Sequence, residues 1–397
     1  MANEHIGRKQ EIGLGKESVA SGTAAAAAVW IPKASGAFAP KVVVDSDKSA
    51  WGTIAELRED QTVQVTTEVT LTAILRDIFS GHLLMGAFGA SYPCVRFSPA
   101  SITGTFVEGE TVTESTSTAT GTLRRADQTT TPKYLYIEPL SGTFTGGQTL
   151  TGGTSGATCA GGTIISPASL RDHVFRMLNS NTHPSYTIYG HDVVSDDRAT
   201  YCMLDQLDIE LVAGKFCMVT AKYIGKKLAS TSAQAPTYTT TQYPFLAKHA
   251  NFYFSSTWAG IGAASAVNIS RLKITIKKNV EVYQAIGATD VTSIHNKQWS
   301  VDGTVELLYN AVTQRDYVLN STKQTLRFII ANTDQTIAST ANPTLQFDIP
   351  TAAIKEFART SDNDALVKQT LGFSAEFDTS RALTAEATLR NTQITAY

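Results

Sequence analysis

The stretch Val63-Gln64-Val65-Thr66-Thr67-Glu68-Val69-Thr70-Leu71-Thr72-Ala73-Ile74-Leu75-Arg76 contains the clearest structural signal of the chain. Apolar side chains alternate in it with polar ones, and Ile74 departs from the pattern. Successive side chains of a strand point to opposite faces, so a period of two predicts a half-buried strand. We expect the core face to hold Val63, Val65, Val69, Leu71, Ala73 and Leu75, and the polar face to hold Gln64, Thr66, Glu68, Thr70, Thr72 and Arg76.

A short helix is predicted directly after this strand. Asp77 is a residue type that caps helices, and His82 lies on the apolar stripe of the following turns. Gly86 and Gly89 are expected to end the helix, because glycine favours the left-handed conformation of a C-terminal cap.

The same alternation returns far downstream. The segment 301–307 matches the segment 65–71 at an offset of 236 (301 − 65), and each copy precedes a helical segment and another strand. Each copy also closes with a predicted hairpin, one over 207–224 turning near Ala213-Gly214 and one over 347–377 turning at Ser361-Asp362-Asn363-Asp364. We interpret this pattern as a duplicated β domain.

The predicted first half consists of residues 1–94 and 166–230, and the predicted second half of residues 231–397. A Thr/Ser/Pro/Gln-rich stretch from Ser230 to Tyr243 has the composition of a linker between them.

The first half is interrupted by a Thr- and Gly-rich insert, residues 95–165. Its segment 104–113 recurs as 142–151 at a spacing of 38 (142 − 104), and Phe106 and Phe144 occupy equivalent places. Glycines at fixed offsets indicate turns, and threonine, phenylalanine and valine suit short strands. We therefore expect a small β module that projects outward. A low-complexity loop is the alternative, and a carbohydrate-binding module using Phe97, Phe106, Tyr134, Tyr136 and Phe144 is a lesser one.

The composition excludes several classes of protein. In 397 residues the charged fraction is 17% and the net charge is −2, so the basic footprint of a nucleic-acid reader is missing. No apolar run approaches the ~20 residues of a membrane helix, and the N-terminus lacks the features of an export signal. We expect synthesis in a bacterial cytoplasm and no membrane partner. The four cysteines form no CxxC pair and are expected to be small buried side chains.

The sequence also lacks a recognisable catalytic or metal-binding motif. It contains no HExxH, no G-x-S-x-G and no complete phosphate loop, and its seven histidines are scattered. Asp192, Asp196 and Asp197, or Asp362 with Asp364, are possible calcium ligands, but turn residues explain them as well. We predict a protein that is not an enzyme and has no cofactor and no metal, although paired glycosidase carboxylates have no local signature.

Several segments, in this order, resemble the tail tube proteins of long-tailed bacteriophages. They are Ile6-Gly7-Arg8-Lys9-Gln10-Glu11-Ile12-Gly13-Leu14-Gly15-Lys16-Glu17, Gly22-Thr23-Ala24 with Trp30-Ile31-Pro32, Leu83-Leu84-Met85-Gly86-Ala87-Phe88-Gly89, His183-Pro184-Ser185-Tyr186-Thr187 and Leu207-Asp208-Ile209-Glu210-Leu211. The resemblance is best over 1–94 and 166–228, and in the second half it extends to the pattern alone. The insert is not part of the family fold, and its repeat looks like a module found in phage structural proteins.

The resemblance implies a mainly β fold of duplicated sandwich or barrel domains, each flanked by a short helix. It also implies a virion protein that polymerises into stacked rings around a DNA-conducting lumen, joined to tape measure, tail terminator and distal tail proteins. The lumen wall in relatives tends to be acidic, which offers DNA no affinity from counterion release. Candidate lumen residues are Gln64, Thr66, Glu68, Asp302, Thr304 and Glu306, and an ordinary solvent-facing surface is the alternative.

Two stoichiometries follow from the six-fold rings of this family. A chain with two tube domains predicts three chains in a pseudo-hexameric ring, whereas six chains would place the second domain outside the ring. Another virion component, such as a decoration, terminator or capsid protein, or a sugar-binding adhesin, is the alternative function.

Overall fold

The structure is a computed structural model that describes residues 6–18, 22–49, 51–52, 54–338, 341–360, 363–364 and 366–397. It is mainly β, as predicted, with two α-helices among the described residues, α1 (Ser80–Phe88) and α2 (Thr313–Leu319). All strands pair in antiparallel fashion apart from one isolated bridge.

The strands, in chain order, fall into four runs. Before the insert lie β1 (Glu11–Lys16), β2 (Val29–Ile31), β3 (Lys33–Asp47), β4 (Glu59–Ile74) and β5 (Gly89–Ser98). In the insert lie β6 (Ser101–Thr103), β7 (Thr111–Glu114), β8 (Thr120–Asp127), β9 (Tyr134–Ser141), β10 (Leu150–Gly152), β11 (Thr158–Ala160) and β12 (Thr163–Ile164). The first half continues with β13 (Arg171–Met177), β14 (Tyr186–His191), β15 (Asp196–Val212), β16 (Met218–Gly225) and β17 (Ala229–Ser230). The second half contains β18 (Ala250–Ser255), β19 (Ala266–Val267), β20 (Ile269–Lys277), β21 (Glu281–Tyr283), β22 (Ser293–His295), β23 (Ser300–Leu308), β24 (Lys323–Ala331), β25 (Thr344–Thr360), β26 (Lys368–Ala375) and β27 (Glu386–Asn391).

Eight strands form one continuous sheet, called here the long sheet, in the order β3–β4–β16–β15–β20–β23–β26–β25. Its first four strands and its last four repeat one arrangement, with β20 in the place of β3 and β25 in the place of β15. Both β15 and β25 are long, and their first parts leave the long sheet to pair with β14 and β24. This order supports the predicted duplication, while the domain limits at residues 94, 165 and 230 stay predictions.

Bulges at equivalent places align the two halves residue by residue. They lie between Lys33 and Ser35 in β3, Ile269 and Arg271 in β20, Leu204 and Gln206 in β15, and Ile354 and Glu356 in β25. Residues of β20 thus follow their β3 counterparts by 236 positions (269 − 33), and residues of β25 follow those of β15 by 150 (354 − 204). Between β4 and β23 the offset is 234 (307 − 73), two fewer than the sequence match. A shift of two residues in the alignment keeps every side chain on the same face of the strand, so the alternating pattern cannot detect it.

One face of the long sheet packs into a hydrophobic core shared by both halves. Val69, Leu71 and Ala73 of β4 are buried there, as predicted, beside apolar side chains of the other strands. Val63 is instead 38% exposed. The first part of β4 extends beyond β16, pairing with β3 and bridging to Asp290 at Val65. Alternation continues there without a core beneath it.

Helix α1 is held at its C-terminal end by groups from the second half. Gly89 has the left-handed conformation, with φ of 88°, that ends a helix. Lys278 Nζ donates a hydrogen bond to the Gly86 carbonyl, and Trp299 Nε1 donates one to the Ala87 carbonyl; both have a length of 2.9 Å. These donors satisfy carbonyls that a helix end leaves free. Asp77 does not cap the helix as predicted, because its carboxylate accepts the backbone N–H of Tyr243.

The insert is a β module with its own core, as expected. Phe106 and Phe144 are buried in it, and the two repeats contact each other reciprocally. Gly104 of the first repeat lies against Ala157 of the second, and Gly142 lies against Ala119 in the same way. Side-chain hydroxyls of Ser117 and Ser155 likewise accept from the backbone of Ala119 and Ala157. The repeated sequence therefore produces two interlocked halves of one small core.

A buried ionic cluster fixes the insert to the second half. Arg125 of β8 is completely buried, and its guanidinium lies 2.7 Å from Asp127, 2.9 Å from Asp348 and 2.9 Å from Glu386. Asp348 also binds Arg327, and Glu386 also binds Arg176 at 2.9 Å. Buried charges need such partners, because an uncompensated one costs several kcal/mol. The insert is thus bound to β25 and β27 by paired charges.

Candidate assembly surfaces and lumen face

The face of the long sheet opposite the core is polar and is called here the polar face. Four of the six candidate lumen residues lie on it: Glu68 on β4 and Asp302, Thr304 and Glu306 on β23. Three strands separate β4 from β23, so these two groups are about 19 Å apart at the usual strand spacing. Gln64 and Thr66 lie farther out, where β4 no longer pairs with β16 and has β3 as its ladder partner.

Charged side chains on the polar face are organised as pairs between nearby strands. Lys273 lies 3.7 Å from Asp208, Arg271 contacts Glu210, Lys368 lies 2.9 Å from Glu306 and Lys41 lies 3.5 Å from Glu68. Hydrogen bonds from Ser270 and Lys368 hold the pKa of Glu306 below its ordinary value. Glu306 is thus charged near neutral pH.

The register of the sheet identifies twelve charged members of the polar face. Its carboxylates belong to Glu68, Asp208, Glu210, Asp302, Glu306 and Glu356, and its cations to Lys41, Lys222, Arg271, Lys273, Lys277 and Lys368. An open groove of about 470 Å³ runs over this face and is also lined by Lys355, which lies at the β25 bulge. With Lys355, seven cations meet the six carboxylates, so the charges of the polar face nearly cancel.

The long sheet ends in two edges that have no further strand among the described residues. On one side β3 pairs with β4 only, and on the other the end of β25, from Ile354 to Thr360, pairs with β26 only. Lys355, Glu356 and Arg359 are exposed along the second edge. Unpaired edges present rows of N–H and C=O groups that can accept another strand.

Beyond the sheet, β3 and β4 continue as a two-stranded arm over residues 41–47 and 59–66. Large apolar side chains are exposed on the arm and its tip: Val42, Val43, Val44, Trp51, Ile54, Leu57 and Val63. Exposed apolar groups concentrated in one element are typical of a contact with another protein.

The possible calcium ligands named from the sequence do not come together. Asp192 accepts backbone N–H groups of Val194 and Ser195, and Asp196 contacts His191 at 2.5 Å, so both have structural partners. His5 and the turn residues Ser361 and Asp362 lie outside the described residues. Within the described part of the chain, no group of three or more His, Cys, Asp or Glu side chains is placed to hold a metal ion.

Three further sequence features are part of the packing. His82 is buried against Tyr397, with ring centroids 5.0 Å apart, and burial lowers its pKa to about 4. The four cysteines are buried and unpaired. In the insert, Phe97, Phe106, Tyr136 and Phe144 are buried, and Arg96 covers the ring of Tyr134. These rings offer no platform on which a sugar can stack.

The described residues include no helix that is both long and apolar enough to cross a membrane. Comparison with curated proteins gives no match. A family model described as phage tail tube protein matches residues 7–375.

Proposed function

The chain belongs to the phage tail tube protein family, and from that premise we propose that three copies close a ring in which their long sheets join edge to edge around a DNA-conducting lumen. Membership makes the protein a structural component of the phage tail, which assembles into a tube together with other tail proteins. We propose the ring, its stoichiometry and its lumen. We also propose that the role of the protein is structural and not catalytic.

The observation that carries the proposal is the joint between β15 and β20 inside one chain. There, β15 pairs over seven residues with β20. In the order of the long sheet, β15 is the last strand from the first half and β20 is the first strand from the second half. The free edges, β25 and β3, are the equivalent strands of the opposite halves. A second copy that places its β3 on β25 would therefore repeat a joint that the fold already contains.

The internal joint also predicts the register between copies. Gln206 pairs with Lys277, and the offsets of 150 and 236 transfer this pair to Glu356 and Lys41. A carboxylate and an ammonium thus face each other across the proposed joint, which favours pairing. Pro40 would lie opposite Phe357 and has no N–H, so this joint would contain one hydrogen bond fewer than the internal one.

Ring size follows from strand number. Eight strands per chain give 24 for three copies (3 × 8), and a barrel of 24 strands with the usual spacing and tilt has a backbone radius of roughly 24 Å. Two copies would give roughly 16 Å, too little for a duplex once side chains fill the wall. The second half continues the sheet of the first, which favours three chains over six with an outer second domain.

Within this ring, the polar face would line the lumen, because the core covers the other face of the sheet. The arm would extend from the ring along the tube axis and contact the next ring through its exposed apolar side chains. The insert, bound to β25 and β27 away from the polar face, would project outward. Tape measure, terminator and distal tail proteins would bind the tube at its interior and its ends.

A cysteine pair tests the joint directly. In the internal ladder the hydrogen-bonded pairs include Asp205 with Lys278 and Ala213 with Ser270, so the pair Gln206–Lys277 is of the closer, non-bonded type. The equivalent double variant Lys41→Cys/Glu356→Cys should form disulfides between copies on mild oxidation, since such pairs lie within bridging distance. Denaturing gels without reductant should show a ladder that stops at three chains.

The control variant Val42→Cys/Glu356→Cys differs by one residue and places its two thiols on opposite faces. It should cross-link much less. Equal cross-linking of both variants would contradict the register, and a ladder that continues past three chains would contradict the trimeric ring. Negative-stain images of the uncross-linked protein show independently whether tubes form.

A further inference from the structure

We infer that the lumen wall is a nearly charge-balanced surface, in which carboxylates neutralise neighbouring cations, and that this balance keeps a DNA duplex from binding. The inference rests on the proposed ring, because the polar face is the wall only if the ring forms. It differs from the acidic wall expected by resemblance, where net negative charge repels DNA.

The balance is built into the pairing of strands. The joint of β15 with β20 brings Asp208 and Glu210 beside Lys273 and Arg271, and the joint of β23 with β26 brings Glu306 beside Lys368. Each of these cations is roughly half exposed, so it would meet a passing phosphate if its carboxylate were absent.

Asp208 is the most strongly held of these carboxylates. It accepts hydrogen bonds from Gln206 Nε2 at 2.8 and 2.9 Å and from Thr275 Oγ1 at 2.7 Å, besides its contact with Lys273. These donors keep its charge at one place on the wall. Lys222 and Lys277 lie on either side of Gln206 and have no ion-pair partner among the described residues. The carboxylates of Asp208 and Glu210 thus stand within a patch that also contains four cations.

The physical reason for the effect is counterion release. A cation that binds a DNA phosphate releases a condensed counterion, and this release supplies most non-specific affinity. A lysine or arginine already paired with a carboxylate gains little by exchanging it for a phosphate. A balanced wall can therefore be polar, hydrated and non-adhesive without a net negative charge.

The test uses the variant Asp208→Asn/Glu210→Gln in the full chain. The matched control is Glu138→Gln/Asp334→Asn, which removes the same charge from a partly exposed pair with Arg124 and an exposed pair with Lys248, away from the polar face. Assembled tubes of each protein are sedimented with a short fluorescent duplex at 50 and 200 mM salt. Wild type and control should leave the duplex in solution. The wall variant should retain it, with affinity falling roughly tenfold between the two salt concentrations for every two phosphates contacted.

Two results would overturn the inference. One is retention of the duplex by the wild type as strongly as by the wall variant, which would mean that the carboxylates neutralise nothing. The other is an absence of retention by the wall variant, which would mean that something else keeps DNA away. Electron micrographs of each preparation report separately on ring formation. If no tubes form, the ring proposal fails, and the same titration on the unassembled chain still decides whether the polar face is balanced.

Discussion

Replacing Arg125 by alanine removes the central cation of the cluster that binds the insert to the second half. Its guanidinium contacts Asp127, Asp348 and Glu386, and it also donates to Thr388 Oγ1 at 3.1 Å. After the change, Asp348 keeps Arg327 and Glu386 keeps Arg176, whereas Asp127 loses its only ion-pair partner among the described residues.

Removing one partner of a buried ion pair costs about 3–5 kcal/mol, because the remaining charge stays buried without compensation. The neighbouring Arg124 provides the matched control. It pairs with Glu138 and covers the ring of Tyr92 at a partly exposed surface, and surface ion pairs contribute about 0–1 kcal/mol. We therefore expect Arg125→Ala to lower the free energy of unfolding by about 3–5 kcal/mol and Arg124→Ala by at most about 1 kcal/mol.

Urea unfolding of the unassembled chain, followed by tryptophan fluorescence, measures both variants. The Trp258 ring lies 4.0 Å from the Arg381 guanidinium and 5.8 Å from that of Arg125, so its emission reports on this region. A loss below about 1 kcal/mol for Arg125→Ala, equal to that of the control, would refute the reasoning.

The same cluster predicts a pH dependence. Burial acts to raise the pKa of Glu386, but Arg125 and Arg176 outweigh it and hold that pKa below its ordinary value of 4.5. A lowered carboxylate pKa stabilises the fold above the unfolded value, and this stability is lost as the pH falls through the folded value. Wild type should therefore lose stability in acid below about pH 4.5, and Arg125→Ala should lose less over the same range.

Two further predictions concern other parts of the fold. Burial lowers the pKa of Lys278 to about 7, below its ordinary 10.5, so the folded chain releases a proton that the unfolded chain keeps, and stability should rise from pH 7 to pH 10. Lys278→Met should abolish that rise in urea unfolding at several pH values, whereas Lys277→Met, at the exposed neighbour, should retain it; a retained rise in Lys278→Met would contradict the assignment. In the insert, Gly104→Ala should destabilise more than Gly109→Ala, since both have positive φ (80° and 92°) but only Gly104 would bring its new Cβ within 3.3 Å of Ala157. Both variants should lose roughly 1 kcal/mol of stability from the backbone conformation, so the extra loss of Gly104→Ala in thermal unfolding measures the contact with Ala157. Equal losses of stability would show that this contact is unimportant.

Sequence patterns alone determined the chain's local structure and its family. The alternation around Val69 and Leu71 predicted the strand and its buried face, because a period of two allows only one arrangement of side chains on a strand. The repeated Phe106 and Phe144 predicted a core in the insert, because equivalent apolar positions recur only where they pack together. The order of the glycine-rich entry, the helix end and later strands indicated the tail tube family, and the family match confirms it.

Only the tertiary structure decided which strands are neighbours and which charges meet. The pairing of β15 with β20 joins the halves into one sheet, and its partners Gln206 and Lys277 are 71 positions apart (277 − 206). No local pattern encodes a pairing between such distant strands. Arg125 and Asp348 are likewise distant in sequence, so their pairing was not visible. Val63 and Asp77 were predicted wrongly for the same reason: alternation and capping preference describe a residue's local conformation, whereas burial and hydrogen bonds depend on what the rest of the chain places beside it.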